Sequence, residues 1–233
     1  MQAVILAGGL GTRLGDITKS VPKPMVPVAG KPYLEHQFAE LRRQGVTDLL
    51  LLTGYLGEQI EAHLRDGSAF GLTIAYNREL TPQGTGGGLR DAAPLLADEF
   101  LVIYGDSYLP IDYLAVVERL KDDRAAVGVA VVYDNAESTT VPNNIALDDA
   151  GYVVRYAKDA PQTPDLRYVE AGVLAFRRAV VDYLPAGRPV SLEKEAFPAL
   201  IAARRLLGFP TRQRFYDIGT PERRAAIEGL FAP

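Results

Sequence analysis

The segment Leu6-Ala7-Gly8-Gly9-Leu10-Gly11-Thr12-Arg13-Leu14 constrains this chain more than any other stretch. It grows out of Ala3-Val4-Ile5-Leu6, a short continuous apolar run of the kind that fills a parallel strand buried on both faces. A glycine-rich turn directly after such a strand lets backbone N–H groups approach phosphate oxygens, because glycine adopts the needed conformations and places no side chain in the way. Arg13 follows at once and would add a bidentate positive clamp. Two familiar phosphate loops fail on spacing. The turn lacks the third glycine of the dinucleotide fingerprint, and no Gly-Lys-Ser/Thr triplet exists for a P-loop, which disfavours a dehydrogenase or a P-loop ATPase. An isolated glycine pair is most often a plain structural turn, so the weight falls on what accompanies it.

Strand and helix signals alternate through the first half. Pro32 opens a helix with Leu34, Phe38 and Leu41 at helical spacing, and Gly45 is placed to end it. Residues 49–52 read as a strand, 58–64 as a short helix, 72–76, 100–104 and 126–133 as further strands. In the second half, residues 144–147 and 152–156 flank Asp148-Asp149-Ala150-Gly151 and predict a hairpin. Residues 168–176 predict another strand, Ser191 is placed to N-cap a helix, and Thr220-Pro221 opens a last one. The expected class is α/β, a doubly wound, mixed and mostly parallel, Rossmann-like sheet with a small antiparallel insertion, forming one domain over residues 1–233.

Four further motifs join the glycine loop. In Val21-Pro22-Lys23-Pro24-Met25 two prolines are expected to hold Lys23 on a stiff, extended segment suited to a phosphate. Gln83-Gly84-Thr85-Gly86-Gly87-Gly88 reads as a second glycine-rich loop, with an amide and a hydroxyl suited to a base edge. Gly105-Asp106 places a carboxylate after an apolar strand, where open α/β sheets bind ligands. Asp217, in Tyr216-Asp217-Ile218-Gly219-Thr220-Pro221, is placed similarly. Magnesium takes one or two protein carboxylates and completes its shell with phosphate and water, a demand that these two aspartates fit. Taken singly, each aspartate would more often be a cap or turn residue.

Composition narrows the partners. A formal charge of -4 argues against non-specific nucleic-acid binding, and without cysteine neither a disulfide framework nor a thiolate metal site can form. No run approaches the roughly 18 apolar residues of a spanning helix, and the N-terminus lacks the basic flank of an export signal, so no membrane partner and a cytoplasmic location are expected. His36 and His63 fall on predicted helices outside every motif and are read as structural.

Together, the glycine loop with Arg13, Pro22-Lys23-Pro24, Gly84-Thr85-Gly86, Gly105-Asp106 and Asp217 resemble, in order and spacing over almost the whole chain, the sugar-phosphate nucleotidyltransferase family. The resemblance implies that an NTP and a sugar 1-phosphate give an NDP-sugar and pyrophosphate. It implies that Leu6, Ala7, Gly8, Gly9, Gly11, Thr12 and Arg13 hold the triphosphate, with Lys23 on phosphate and Gln83, Gly84 and Thr85 at the base. Arg13, Lys23 and Asp106 would be catalytic, and Asp106 and Asp217 would carry Mg2+. Lys158, Glu170, Gly172 and Glu193 would bind the sugar phosphate. Residues 1–133 would then be the nucleotide half and 134–233 the sugar-phosphate half. Ser191-Leu192-Glu193 is similar to a segment of mannose and heptose guanylyltransferases, which favours GTP with a mannose or heptose 1-phosphate. Alternatives stay open: UTP, dTTP or CTP, a non-sugar alcohol phosphate, or a silent regulatory subunit that binds an NDP-sugar. The chain departs from the family at Ala157-Lys158-Asp159, where Glu-Lys-Pro is frequent, and at Glu170-Ala171-Gly172, where Asn-Ala-Gly is frequent. It is expected to lack the left-handed β-helix domain of some relatives. Oligomeric state is open, with a homodimer one option because exposed patches on such sheets commonly pair.

Overall fold

The computed structural model describes residues 1–137, 139–158 and 163–231. In chain order the strands are β1 (Gln2–Ala7), β2 (Pro27–Val28), β3 (Lys31–Pro32), β4 (Asp48–Thr53), β5 (Thr73–Arg78), β6 (Glu99–Tyr104) and β7 (Ser107–Tyr108). There follow β8 (Gly128–Tyr133), β9 (Ile145–Leu147), β10 (Val153–Tyr156), β11 (Val169–Arg177), β12 (Leu206–Thr211) and β13 (Tyr216–Asp217). The helices are α1 (Tyr33–Arg43), α2 (Gly57–Leu64), α3 (Gly84–Asp91), α4 (Tyr113–Lys121), α5 (Phe197–Ala202) and α6 (Pro221–Phe231). A seven-stranded sheet runs in the order β12-β8-β11-β6-β1-β4-β5, beside the two-stranded pairs β9–β10, β7–β13 and β2–β3. This is the expected α/β class with a mixed, mostly parallel sheet, and the β9–β10 hairpin is the expected antiparallel insertion. No helix among the described residues is long and apolar enough to cross a membrane.

Contacts divide the chain into two compact units. The first comprises Met1–Pro82, Ile103–Tyr108 and Tyr216–Pro233, the second Gln83–Val102 and Leu109–Phe215. In the first unit β1, β4 and β5 are parallel and in step, with Val4 opposite Leu50 and Leu50 opposite Ala75. Ala3, Val4, Ile5, Leu49, Leu50 and Leu51 are wholly buried, as continuous apolar runs require when both faces of a strand are covered. Helix α1 turns Leu34, Phe38 and Leu41 inward at helical spacing. Its end follows from one residue. Gly45 takes φ +75°, its N–H donates to Arg42 O at 3.0 Å, and Val46 N–H donates to Leu41 O at 3.0 Å, the paired bonds of a Schellman stop. A separate cluster of Leu14, Val26, Val28, Tyr33, Ile218 and Ile227 fastens the two ends of the chain within this unit.

In the second unit β8 is buried along its whole length, antiparallel to β11 and parallel to β12. Strand β12 has no counterpart in the sequence reading. Gly208 and Pro210 interrupt its pattern, and Pro210 is tolerated because the strand lies at the end of the sheet order, where its outer edge is bridged at Leu207 by Tyr152. Helix α4 was likewise unmarked, although Asp112 caps it by accepting from Leu114 N at 3.0 Å and Ala115 N at 3.1 Å. The β9–β10 turn is set by Asp148, which accepts from Ala150 N at 3.0 Å and Tyr152 N at 2.8 Å, and by Gly151 at φ +84°.

Gly128 packs directly beneath a buried ring: a Cβ there would lie 2.5 Å from Cε1 of the fully buried Phe176. Gly128→Ala is expected to lower the unfolding free energy by about 1–3 kcal/mol, the usual cost of overpacking a filled core. Urea titration measures this, and an unchanged midpoint would show that the Phe176 ring has room to shift.

Candidate active site

The first unit gathers four of the charged residues marked in the sequence. Residues 8–11 lie outside regular structure between β1 and a 3-10 turn over Thr12–Lys19, with Gly9 exposed. Gly11 takes φ +66°, and a Cβ there would sit 3.0 Å from Lys23 Cβ and 3.0 Å from Thr18 Cγ2. The loop therefore rides on the alkyl stem of Lys23. Thr18 Oγ1 donates to Gly11 O at 3.2 Å and to Gly15 O at 3.0 Å, which ties the loop to the turn after it. Lys23 departs from expectation in one respect. It opens a 3-10 turn, Lys23–Met25, instead of lying on an extended segment; only Pro22 before it is extended. Pro24 suits the first turn of a helix as well as it suits an extended chain, so the tripeptide alone does not choose.

The Lys23 ammonium forms an ion pair with Asp106, both side chains mostly buried. Asp106 sits between β6 and β7, and three contacts aim it. Gly105 N–H donates to Leu6 O at 3.0 Å, so close that a Cβ on Gly105 would lie 2.7 Å from that oxygen. The buried amide of Gln37 donates to Tyr104 O at 2.8 Å and also to Ser107 O, bracketing the turn from below. Ile218 N–H donates to Asp106 O at 3.0 Å, and Asp217 pairs with Ser107 across β7–β13. Asp106 thus immediately precedes β7, and Asp217 lies on the strand that faces it. Asp217 accepts from Gly219 N at 2.6 Å and is bridged by Arg223 Nη1 at 3.3 and 3.1 Å. A Cβ on the buried Gly219 would lie 2.6 Å from Asp217 Oδ1, 3.5 Å from Arg13 Nη2 and 3.6 Å from Arg223 Nη1. Arg13, Asp217 and Arg223 therefore converge on one bare glycine.

Among the described residues no group of three or more His, Cys, Asp or Glu side chains could hold a metal ion by itself. Two carboxylates, one in the turn before β7 and one on β13, suit a hard divalent cation that draws its other ligands from phosphate and water, and suit poorly a closed protein cage. Burial pushes the neighbouring Tyr108 phenol up, so it stays protonated at neutral pH. His36 bonds Val28 O at 2.9 Å and stacks on Phe231, and His63 pairs with Glu35 at 2.8 Å.

The second unit gathers residues assigned to the base and the sugar. Gly84–Asp91 is a helix, α3, and not the glycine-rich loop expected from the sequence. The glycines give room: a Cβ on Gly84 would lie 2.5 Å from Val190 O, and one on Gly86 would lie 2.9 Å from both Leu184 Cδ2 and Val190 Cγ1. Gly86 and Gly87 N–H donate to Val190 O at 2.8 and 3.2 Å. Thr85 Oγ1 donates to Glu193 Oε2 at 3.1 Å and accepts from Leu192 N at 2.9 Å. Ser191 Oγ donates to the same carboxylate at 2.7 Å and caps the adjoining turn through Lys194 N at 3.2 Å. Gln83 to Thr85 are thereby joined to Ser191-Leu192-Glu193. On β11, Glu170 Oε1 accepts from Gly172 N at 2.7 Å and Glu170 N donates to Asn144 Oδ1 at 2.9 Å; Gly172 takes φ +78°. Lys158 is exposed. Asp159 lies outside the described residues.

Sequence reasoning missed Gln37, Glu79, Asn144 and Arg223. Gln37 was legible as a polar residue on the apolar face of α1. Asn144 carried no local signal, because its partner Glu170 lies 26 residues further on, and Arg223 meets Asp217 across the turn into α6, six residues apart, a spacing that no helix or strand rule reads. Glu79 follows β5, with its N–H on Thr53 O at 3.0 Å and its carboxylate over Gly8 and Gly54.

A family model described as nucleotidyl transferase matches residues 2–227. The chain belongs to the nucleotidyl transferase family. Within this family it is 36% identical over 227 residues to a mannose-1-phosphate guanylyltransferase of Mycobacterium tuberculosis, covering 95% of this chain and 62% of that protein. It is 42% identical over 131 residues to the D-glycero-alpha-D-manno-heptose 1-phosphate guanylyltransferase of Campylobacter jejuni, covering 56% of this chain and 57% of the other. HddC from Yersinia pseudotuberculosis has a similar crystal structure, with a TM-score of 0.82, 27% identity and 99% of each chain covered. A second structure of HddC, complexed with GMP-PN, aligns at a TM-score of 0.80 and 25% identity, again over 99% of each chain.

Gln37→Leu keeps the helix face apolar but leaves two carbonyls beneath the Asp106 turn without their donor. It is expected to cost about 1–3 kcal/mol of stability, the penalty for stranding buried acceptors. Thermal and urea unfolding check this; a loss below about 0.5 kcal/mol would show that water reaches both carbonyls.

Proposed function

We propose that this chain transfers a nucleotidyl group from an NTP to a sugar 1-phosphate, giving an NDP-sugar and pyrophosphate, with GTP and a mannose or heptose 1-phosphate as substrates. The observation that carries the reading is the cluster in the first unit, where Arg13, Lys23, Asp106 and Asp217 meet beside a glycine loop. The guanylyltransferase names of the mycobacterial and Campylobacter relatives and the GMP-PN in HddC support GTP.

In this reading residues 6–9 and 11–13 cradle the triphosphate through backbone N–H groups and the Arg13 guanidinium. A phosphate oxygen of the sugar 1-phosphate attacks the α-phosphorus in line. The new P–O bond forms as the bond to the bridging oxygen breaks, and that oxygen leaves with its electron pair on pyrophosphate. The nucleophile is already anionic at neutral pH and needs no strong general base, consistent with histidines engaged elsewhere. Catalysis then comes from positioning and charge neutralisation. Arg13 stabilises the departing pyrophosphate, and Lys23 exchanges its carboxylate partner for phosphate. Asp106 and Asp217 would hold Mg2+, which supplies charge neutralisation and a template for the phosphates. Gln83, Gly84 and Thr85 serve the base, and Lys158, Glu170, Gly172 and Glu193 the sugar phosphate. Glu193 is suited to its part because Thr85 and Ser191 hold its carboxylate in place.

Pyrophosphate release is the test, with GTP, UTP, dTTP and CTP each paired with mannose, heptose, glucose and N-acetylhexosamine 1-phosphates. The expected result is magnesium-dependent release with GTP and one of the first two sugars. Arg13→Ala and Asp106→Ala should each lose about 3 kcal/mol of transition-state stabilisation, the scale of one preorganised electrostatic group. Faster turnover with UTP than with GTP would replace the base assignment, and silence across the panel from folded protein would overturn the reaction.

A further inference from the structure

Arg223 stands where a helix least favours a positive charge. Thr220 precedes α6 and holds its start, accepting from Arg223 N on Oγ1 at 3.3 Å and from Arg224 N on its carbonyl oxygen at 2.9 Å. Arg223 is the third residue of α6, inside the first turn, whose unsatisfied N–H groups carry partial positive charge and are stabilised by acids. Glu222 beside it obeys that rule, and Arg223 does not. Its compensation is Asp217, whose Oδ1 and Oδ2 lie 3.3 and 3.1 Å from Nη1, with the two side chains only 24% and 13% exposed. Gly219 N–H donates to Oδ1 as well, at 2.6 Å, so both oxygens of Asp217 are engaged before any ligand arrives.

An ion pair that only fastened α6 in place would add little. Ile227 is wholly buried and Phe231 stacks on His36, and such burial outweighs a partly exposed salt bridge. For a cation the consequence is larger. With Lys23 on Asp106, and with Arg13 and Arg223 beside Asp217, three positive charges gather around two carboxylates. A free divalent ion entering there meets an excess of positive charge and has to share Asp217 with Arg223. A divalent ion carried on a triphosphate brings a net negative charge, together with phosphate oxygens to complete its shell. The guanidinium therefore separates the two cases.

We propose that Arg223 is a positioning residue that keeps Asp217 closed to a free divalent cation, so that the metal enters with the phosphates of the nucleotide. The inference rests on the reading of Asp106 and Asp217 as the metal carboxylates and of the glycine loop as the triphosphate site.

Metal affinity, read without turnover from the EPR signal of free Mn2+, tests it; Mn2+ shares the preference of Mg2+ for oxygen ligands. The proteins are wild type, Arg223→Gln, Arg223→Lys, Asp217→Asn and the double variant Arg223→Gln/Asp217→Asn. Without nucleotide, Arg223→Gln should bind Mn2+ about 10-fold tighter than wild type, the scale of one positive charge removed from beside a partly shielded carboxylate. Arg223→Lys keeps the charge and should stay within about 3-fold of wild type. The gain should vanish in the double variant, because it runs through Asp217. With GTP present, the difference between wild type and Arg223→Gln should shrink to about 3-fold or less, since the phosphates then offset the guanidinium. Thermal melts establish that each variant is folded, and Arg223→Met, which keeps the apolar stem, serves in place of Arg223→Gln if that variant is not. An uncharged variant that binds Mn2+ no tighter than wild type, where Asp217→Asn still weakens Mn2+ binding with GTP, overturns the role of Arg223 alone. A gain that persists in the double variant also overturns it, because the effect then bypasses Asp217. Mn2+ binding that Asp217→Asn leaves unchanged both with and without GTP overturns the metal reading and this inference together.

Discussion

The charged site hangs on a two-residue strand pairing. β7 and β13 bring Asp217 opposite Ser107 and seat Ile218 N–H on Asp106 O, so carboxylates from distant parts of the sequence share one ledge. So short a ladder cannot hold itself, and its strength comes from the apolar cluster around it. Ile218 and Ile227 are wholly buried against Leu14, Val26, Val28 and Tyr33. Burying a side chain of that size contributes about 1.5–3 kcal/mol, more than either hydrogen bond in the ladder. Phe231 adds a stack on His36 at 4.0 Å and an edge contact to Tyr108 at 4.8 Å between centroids. Hydrophobic burial thus sets the geometry that the charges use.

Each carboxylate on that ledge already has a cation: Lys23 for Asp106 and Arg223 for Asp217. All four side chains are largely shielded from water, where leaving one charge unmatched is far more costly than at the surface. The pairs bring two carboxylates, each with its own cation, into one small region. They also make Lys23 a bifunctional group, a counter-ion in the free protein and a phosphate ligand in the proposed reaction.

Glycine recurs through the site, and most often for room. Gly105 lies against Leu6 O, Gly84 and Gly86 against Val190, Gly219 against Asp217, and Gly8 and Gly54 beneath Glu79. This explains how residues 83–88 misled the sequence reading. A run of glycines normally marks a loop because it weakens helices by about 1 kcal/mol each relative to alanine. Here the backbone of Val190 needs the space, and its carbonyl accepts from Gly86 and Gly87, so tertiary contact outweighs propensity and α3 forms. The same limit applies to β12, whose glycine and proline break the pattern of a strand that β8 nevertheless recruits.

Sequence alone determined the features that local chemistry dictates. The buried parallel strands, the amphipathic face of α1 and its glycine stop, the β9–β10 hairpin and the glycine-rich turn after β1 are written in neighbouring residues, because periodicity, turn chemistry and capping act over a few positions. Tertiary structure decided which distant groups meet. Gln37 under the Asp106 turn, Thr85 on Glu193 and Glu79 over Gly8 are contacts between distant residues that no spacing rule connects. Their positions depend on strand register and on close backbone approach, and both are fixed only once the apolar core has packed.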